Sequence, residues 1–332
     1  MRAIQLTEAG GPEVLRVVEL PAPGEPAPGE IRVRVKAAGV NPVDAKIRQA
    51  PGRFGVATPL VPGCDGAGVV TAVGEAVQHL SLGDEVYFCQ CPLAGAAGSY
   101  AEEVLVDARL AARKPAALDF AAAAAVPLVL ITAWEALVDR AQVEAGQRVL
   151  VHGGAGGVGH MAIQIARLHG AQVIATAGSA EKAELARALG AQEVVLHRER
   201  DFVSAVLDWT GGRGVDLALD TVGGEVFTRS LEAVACYGRL MTLLAPPADA
   251  NWGTARTRNL DVGFELMLSP LTLGLEDALA HQGRILDRCR EWFDDRQLRV
   301  HVDRVFPLDQ AAEAHALLAA GAVRGKLVLE VG

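Results

Sequence analysis

The stretch VLVHGGAGGVGH, residues 149–160, decides the fold of this chain. An apolar run typical of a buried strand leads into it, and five glycines then fall within residues 153–159. Three of these glycines match the pattern G-x-G-x-x-G, which is a weak signal when it stands alone. Here it closes a predicted strand (148–153) and opens a predicted helix (160–171). That context predicts a dinucleotide-binding loop.

Each glycine of the pattern has an expected physical role. Gly154 would permit a tight turn, and Gly156 would let the backbone approach a pyrophosphate closely. Gly159 would let the helix pack against the strand, and the helix N-terminus would then bind the pyrophosphate through its N–H groups. A glycine-rich turn without a ligand is the alternative. No Gly-Lys-Ser/Thr sequence follows, which excludes a nucleotide-triphosphatase phosphate loop.

Strand and helix patterns alternate after the glycine-rich stretch. Further strands are predicted at 172–177, 193–197, 215–220 and 238–244, and helices at 179–191, 201–210 and 224–234. Such alternation predicts a parallel, doubly wound sheet.

The earlier part of the chain has a different pattern. Short strand candidates bounded by glycine lie at 31–40, 66–74 and 83–90, and a terminal strand at 325–332 is expected to return to this first domain. We therefore expect an α/β protein with two domains. Residues 1–125 and 268–332 would form a β-rich catalytic domain, and residues 126–267 a nucleotide-binding domain.

The end of the second predicted strand of the nucleotide-binding domain indicates which dinucleotide binds. NAD sites usually place Asp or Glu there, whereas ATAGSAEK (175–182) has no acid before Glu181. Ser179 and Lys182 suit a 2′-phosphate, and this favours NADPH. Ser179 is also a good helix N-cap, and Lys182 could be an ordinary surface residue.

Composition excludes several other classes of protein. A net charge of −9 and the absence of a basic cluster argue against nucleic-acid binding. The longest apolar run, FAAAAAVPLVLITAW (120–134), is interrupted by Pro127, so a buried helix or domain junction is expected instead of a membrane span. Five cysteines without CxxC spacing predict free thiols in a reducing compartment, and hence a cytoplasmic protein.

A set of motifs along the whole chain resembles the zinc-independent quinone oxidoreductase (zeta-crystallin-like) branch of the medium-chain dehydrogenase/reductase superfamily. The motifs are AAGVNPVDAKIR (37–48), PGCDGAGVVTAVG (62–74), GSYAEEVLV (98–106), ITAWEAL (131–137), VHGGAGGVGHMAIQIA (151–166), ALGAQEVV (188–195), DTVGG (220–224) and GKLVL (325–329). This resemblance implies a GroES-like catalytic domain and a Rossmann domain, with the active site in the cleft between them.

The resemblance also implies roles for individual residues. Asn41 and Thr132 would lie at the nicotinamide end of the cofactor, and Val222 would pack near it. The backbone of Ala155, Gly156, Gly157 and Val158 would hold the pyrophosphate. His197 would lie beside the adenosine phosphate, unless it is simply a polar residue at a strand end, and Lys326 would lie near the cofactor's outer end. A homodimer is implied too, formed by edge-strand pairing near NLDVGFELM (259–267).

Zinc members of the superfamily differ from this chain at the metal ligands. They place Cys where this chain has Asn41, and His-Glu where it has Cys64 and Asp65. An Asn is a poor third ligand, and Cys89 and Cys91 alone do not make a structural zinc lobe, so no metal site is expected. Cys64 would be a small buried or cleft-lining residue. Asp44 and Asp65 are candidate cleft carboxylates that could equally serve as backbone or ion-pair anchors.

Without a Lewis acid, electrophilic substrates are favoured over alcohols. We therefore expect hydride transfer from NADPH to a small-molecule quinone or α,β-unsaturated carbonyl, with Asn41, Thr132, Asp44, Cys64 and Asp65 as candidate catalytic residues. Two alternatives stay open at this point. One is a zinc-type alcohol dehydrogenase, and the other is a non-catalytic NADPH-binding regulatory protein.

Overall fold

The computed structural model describes all 332 residues. Its strands are β1 (Arg2–Leu6), β2 (Leu15–Glu19), β3 (Glu30–Val40), β4 (Asp65–Val73), β5 (Glu85–Cys89), β6 (Glu103–Asp107), β7 (Ala111–Arg113), β8 (Arg148–Val151), β9 (Gln172–Ala177), β10 (Glu193–Leu196), β11 (Val215–Asp220), β12 (Val234–Thr242), β13 (Asp261–Phe264), β14 (Val302–Pro307) and β15 (Lys326–Glu330). Its α-helices are α1 (Pro42–Gln49), α2 (Phe120–Ala124), α3 (Pro127–Trp134), α4 (Gly157–Leu168), α5 (Ala180–Ala188), α6 (Phe202–Thr210), α7 (Glu225–Ala233), α8 (Trp252–Thr257), α9 (Ser269–Leu273), α10 (Glu276–Asp294) and α11 (Ala311–Ala319).

The chain divides into two compact units. Unit 1 comprises Met1–Ile131 and Leu268–Gly332, and unit 2 comprises Thr132–Met267. The first boundary therefore follows Ile131, whereas the sequence analysis placed it after residue 125. It falls inside α3, within the apolar run 120–134 that was expected to be a buried helix or a domain junction.

Unit 1 is built on a seven-stranded sheet. Its strand order is β14-β15-β3-β4-β5-β7, and β6 also pairs with β3. The terminal strand β15 lies antiparallel to β3, with Leu327 opposite Val40, so the end of the chain does return to the first domain as expected. Alternating buried residues of β3, such as Ile31 and Val33, enter one apolar core beside this sheet.

Unit 2 is built on a six-stranded sheet in which every pair of strands is parallel. The order β10-β9-β8-β11-β12-β13 is 3-2-1-4-5-6 in the unit's own strand numbering, as in dinucleotide-binding Rossmann folds. The order reverses between β8 and β11, and ligands of such sheets bind outside the carboxyl ends of the strands at that point. The predicted doubly wound sheet is confirmed.

Local signals explain where the helices of unit 2 begin and end. Asp201 caps α6 by accepting a hydrogen bond from the Ser204 N–H, and Gly211 ends that helix in the left-handed region. The helix α7 runs directly into β12, which therefore starts earlier than the predicted 238–244. No helix of the structure combines the length and the apolar character that crossing a membrane requires.

Candidate functional site

The glycine-rich loop connects β8 to α4 at the reversal point of the unit 2 sheet. Gly156 is the N-cap of α4, and a glycine there leaves the first turn without a side-chain cap. The loop is tied to the next strand because Gly154 N–H donates to the Thr176 carbonyl at 2.9 Å and Gly153 N–H donates to Thr176 Oγ1 at 3.1 Å. The first N–H groups of a helix have no partner within the helix, so they are free to bind an anion in front of the loop.

The glycines of this loop serve different purposes. Gly153 has φ +61°, so it makes the left-handed turn that the sequence analysis assigned to Gly154. A Cβ at Gly154 would lie 2.7 Å from the Ala175 Cβ, so Gly154 is required for packing against β9 instead. A Cβ at Gly159 would run into the backbone of Gly153, as expected for close packing of helix and strand.

Gly156 has more space around it than the other two glycines of the pattern. The only atom within 4 Å of its Cβ position is the Gly153 carbonyl oxygen at 3.1 Å. Gly156, Gly157 and Val158 are half-buried, whereas Ala155 is buried. The backbone is therefore open to a ligand at the beginning of α4, where the sequence predicted the pyrophosphate.

The ends of β9 and β10 bring together three of the predicted cofactor residues. Ser179 caps α5, and its Oγ accepts a hydrogen bond from the Lys182 N–H at 3.3 Å, so the N-cap interpretation of Ser179 is confirmed. The exposed His197 follows β10, and its Nε2 lies 3.2 Å from the Cβ position of Gly178. A hydroxyl, an imidazole and a lysine backbone thus lie around a strand end that carries no carboxylate before Glu181.

The loop after β11 is held by a residue that the sequence analysis did not single out. Asp220 Oδ1 accepts hydrogen bonds from Val222 N–H at 2.9 Å and Gly223 N–H at 2.8 Å, and Oδ2 accepts one from the Thr242 hydroxyl at 3.0 Å. Thr221 in turn donates to the His152 carbonyl at 2.8 Å. The loop is therefore rigid and presents Val222, whose side chain is 49% exposed. The motif DTVGG (220–224) identified this loop in the sequence, but it gave Asp220 no role.

Unit 1 contains a buried cluster built from residues far apart in sequence. Lys326 donates to Asn41 Oδ1 and to Asp65 Oδ2, the latter at 3.3 Å. Asn41 Nδ2 donates to the same Asp65 oxygen at 2.9 Å, and Asp65 Oδ1 accepts from Leu128 N–H at 2.8 Å. Asp65 is therefore an ion-pair and backbone anchor. The ammonium of Lys326 binds Asn41 and Asp65, and the predicted place of Lys326 near the cofactor's outer end stays a prediction.

A second carboxyl group, Asp44, lies beside this cluster. Asp44 Oδ2 accepts from Asn41 N–H at 2.8 Å and from the Tyr100 hydroxyl at 3.3 Å, and Tyr100 also contacts His315 Nε2 at 3.2 Å. Complete burial raises the pKa of Asp44 to about 7, and burial lowers the pKa of His315 to about 4. Asp44 is thus a helix-capping anchor, and neither Tyr100 nor His315 was among the predicted site residues.

The candidate catalytic residues of unit 1 do not line an open surface. Asn41, Asp44, Cys64 and Asp65 are completely buried. Their assignment to an active-site cleft stays a prediction. Thr132 is also buried, at the beginning of unit 2, and its contact with a cofactor stays a prediction.

The cysteines differ from expectation. Cys64 forms a disulfide with Cys91, whereas Cys89, Cys236 and Cys289 are free thiols. The prediction of five free thiols is therefore wrong, because folding brings Cys64 and Cys91 together from positions 27 residues apart. No group of three or more His, Cys, Asp or Glu side chains is arranged to hold a metal ion.

Comparison with known families agrees with this geometry. Residues 27–116 match the model described as "Alcohol dehydrogenase GroES-like domain", and residues 189–329 match the one described as "Zinc-binding dehydrogenase". A quinone oxidoreductase of Pseudomonas aeruginosa is 34% identical over 99% of each chain. The chain belongs to the quinone oxidoreductase branch of the medium-chain dehydrogenase/reductase superfamily. The resemblance found in the sequence is confirmed, as is a GroES-like region combined with a Rossmann sheet.

Solved structures of this superfamily cover the full chain. The quinone oxidoreductase of Escherichia coli, solved in complex with NADPH, is 30% identical with a TM-score of 0.86, and each chain is covered to 100%. A structure described as an NAD-dependent alcohol dehydrogenase is 37% identical with a TM-score of 0.89, again with 100% of each chain covered. Relatives with this fold therefore include proteins described with either nicotinamide cofactor.

Proposed function

We propose that this protein is an NADPH-dependent oxidoreductase that transfers hydride to a quinone or an α,β-unsaturated carbonyl. The observation that carries the proposal is the arrangement of residues at the carboxyl edge of the unit 2 sheet. The 3-2-1-4-5-6 strand order places the glycine-rich loop at the reversal point, and the strand end that would bind a ribose hydroxyl lacks a carboxylate. The NADPH-bound relative from Escherichia coli supports the same cofactor.

The residues of unit 2 fit this cofactor. The backbone from Ala155 to Val158 would hold the pyrophosphate through N–H groups. The absence of a side chain at Gly156 would let the pyrophosphate approach that backbone closely. Ser179, Lys182 and His197 would bind the 2′-phosphate, because hydroxyl and cationic donors favour a phosphate that a carboxylate would repel. Val222 would pack against the nicotinamide end.

NADPH, when bound, supplies the hydride from C4 of its nicotinamide. The protein's part is to orient the cofactor and the acceptor and to exclude water from the reacting atoms. Asn41 and Thr132 are the residues we assign to the nicotinamide end. Because both are buried, their contact with a cofactor requires the groups that cover them to move.

A zinc-type dehydrogenase fits these residues poorly, although one matching family model is described as zinc-binding. The Cys64 sulfur is bonded to Cys91, and both Asp65 oxygens already accept hydrogen bonds. The ammonium of Lys326 lies on Asp65 and Asn41, where a second cation would be repelled. Quinones and enones are electrophilic enough to accept hydride without a Lewis acid, so we assign this acceptor class.

We also propose a homodimer. The strand β13 lies at the edge of the unit 2 sheet and pairs only with β12. Phe264 at its end and the following Leu266 are 49% and 60% exposed. An unpaired strand edge flanked by exposed apolar side chains is a typical surface for pairing with a second chain. Sedimentation of Leu266→Lys against the unaltered protein tests this assignment.

The experiment for the proposed function measures NADPH oxidation against quinones, enones and simple aldehydes. We expect turnover with quinones or enones, slower turnover with NADH, and none in Gly156→Val, whose side chain would occupy the pyrophosphate position. NADPH binding without oxidation of any acceptor would contradict the catalytic assignment. It would instead favour a non-catalytic NADPH-binding protein.

A further inference from the structure

Lys326 is a buried cation that the proposed cofactor site does not use. Its side chain is 3% exposed, and its only hydrogen-bond acceptors in the structure are Asn41 Oδ1 and Asp65 Oδ2. A buried ammonium is costly to desolvate and occurs where paired groups compensate for it. Asp65 provides that compensation, since its side chain is completely buried and lies 3.3 Å from the ammonium nitrogen.

Lys326 and Asp65 determine which way the Asn41 side-chain amide faces. An ammonium can only donate hydrogen bonds, and an ionised carboxylate can only accept them. Asn41 must therefore turn Oδ1 towards Lys326 and Nδ2 towards Asp65, as the structure shows. The ammonium and the carboxylate thus hold opposite ends of the amide, and removing both would leave its orientation unfixed by this charge pair.

Asp65 holds other groups as well as the Asn41 amide. Its Oδ1 accepts the Leu128 N–H at the beginning of α3, and its Oδ2 accepts both Asn41 Nδ2 and Lys326. The backbone of Asn41 is held as well, because its N–H donates to the Asp44 carboxyl group. Lys326 is thus the cation in direct contact with both Asn41 and Asp65, while Asp44 holds the Asn41 backbone.

We propose that Lys326 is a positioning residue that acts through Asn41 and that, together with Asp65, fixes the orientation of the Asn41 side-chain amide for the nicotinamide end of the cofactor. One N–H of Nδ2 bonds Asp65, so the fixed orientation leaves the second N–H as the group that Asn41 can offer to a ligand. The catalytic consequence rests on the proposed function. The orientation of the Asn41 amide is independent of the proposed function.

The test uses a variant that removes the charge pair as a unit. Lys326→Met alone would leave the Asp65 carboxylate buried without its cation, and the chain could then fail to fold. Lys326→Met combined with Asp65→Asn removes both charges and keeps side chains of similar size. Lys36→Met is the matched control, because Lys36 also bonds the C-terminal segment, at the Gly332 carbonyl, but is partly exposed and lies outside the cluster.

Two readouts are taken on the folded proteins. The side-chain amide NMR signals of Asn41, assigned by their absence in Asn41→Ala, should shift in the double variant and stay unchanged in Lys36→Met. The kcat/KM for NADPH oxidation should fall by about 10- to 100-fold in the double variant. It should fall no further when Asn41→Ala is added, since both changes would act through the same group.

A double variant with unchanged Asn41 amide signals and unchanged kcat/KM would overturn the proposal, since Lys326 would then only neutralise Asp65. Lys326→Arg should retain most of the activity, because a guanidinium also donates to Oδ1. If the unaltered protein binds NADPH but reduces no acceptor, the proposed function fails. The amide signals then still decide whether Lys326 orients Asn41.

Discussion

Gly159 lies directly against Gly153, so that a Cβ at position 159 would stand 2.8 Å from the Gly153 carbonyl carbon and closer still to its oxygen. The first turn of α4 therefore packs on the loop that leaves β8 with no room for a side chain. At Gly156 a Cβ would meet only the Gly153 oxygen, at 3.1 Å. Two glycines of one motif thus have different roles. Gly159 allows the helix to pack on the loop, and Gly156 leaves the backbone accessible to a ligand.

This difference predicts opposite phenotypes for two alanine variants. Gly159→Ala should destabilise the protein by about 3 kcal/mol or more, because the obstacle is backbone that cannot rotate away. Gly156→Ala should cost little stability but weaken NADPH binding. Thermal unfolding and NADPH fluorescence titration measure the two effects. A stable Gly159→Ala protein, or a Gly156→Ala protein with unaltered affinity, would show that the roles are misassigned.

Lys182 should contribute to the preference for NADPH over NADH. Removing one charge-assisted contact to the 2′-phosphate in Lys182→Ala should lower the ratio of the two affinities by about tenfold, with NADH binding unchanged. Arg187→Ala, in the last turn of the same helix, is the control and should leave the ratio as it is. Isothermal titration with both cofactors measures the ratio. An unaltered ratio in Lys182→Ala would remove this residue from the phosphate site.

Asp44 should make the protein less stable as the pH rises. Its folded pKa of about 7 lies above its ordinary value, so between about pH 4 and pH 7 the folded protein holds a proton that the unfolded chain releases. The contribution of Asp44 to the free energy of unfolding is therefore lost across that range. The loss is about 1.4 kcal/mol for each unit by which the pKa is raised. Burial lowers the pKa values of His152 and His315, so these two groups make the protein more stable as the pH rises.

Comparing Asp44→Asn with the unaltered protein isolates this effect, because both proteins keep the two histidines. The stability advantage of Asp44→Asn should grow between about pH 4 and pH 7, measured by urea unfolding. The same substitution at the exposed Asp309 should give no such trend. A difference that is constant with pH would mean that Asp44 is ionised throughout.

The disulfide predicts a definite thiol count. Alkylation of the denatured, unreduced protein should modify three cysteines, namely Cys89, Cys236 and Cys289, and all five only after reduction. Cys91→Ser should lower stability by about 3 to 4 kcal/mol under oxidising conditions, as loop closure over 27 residues implies. Cys236→Ser, at an exposed free thiol, is the control. Five modified cysteines without reduction would contradict the pairing.

Much of unit 2 could be predicted from its sequence because its signals are local. The strand and helix periods, the glycine pattern and the N-cap at Ser179 all lie within a few residues of what they determine. The role of Gly154 was misassigned because the left-handed turn falls one residue earlier, at Gly153, and spacing alone does not show backbone angles.

The buried cluster of unit 1 could not be predicted in this way. Lys326 and Asn41 are 285 residues apart, and Tyr100 and His315 are 215 apart, so only the pairing of β15 with β3 and the packing of α11 bring them together. Tertiary packing likewise brings Cys64 and Cys91 together to form the disulfide. The complete burial of Asn41, Asp44 and Asp65 also depends on tertiary packing, which a single sequence does not reveal.

The most direct test of the account is single-turnover reduction of a quinone by metal-depleted protein, using NADPH deuterated at C4 of the nicotinamide. The account predicts quinone-dependent oxidation of NADPH with a primary isotope effect, in protein whose measured zinc content is negligible. It also predicts that added Zn²⁺ leaves the rate unchanged. Oxidation that is lost on metal depletion and restored by Zn²⁺ would contradict the central claim that this chain transfers hydride without a metal.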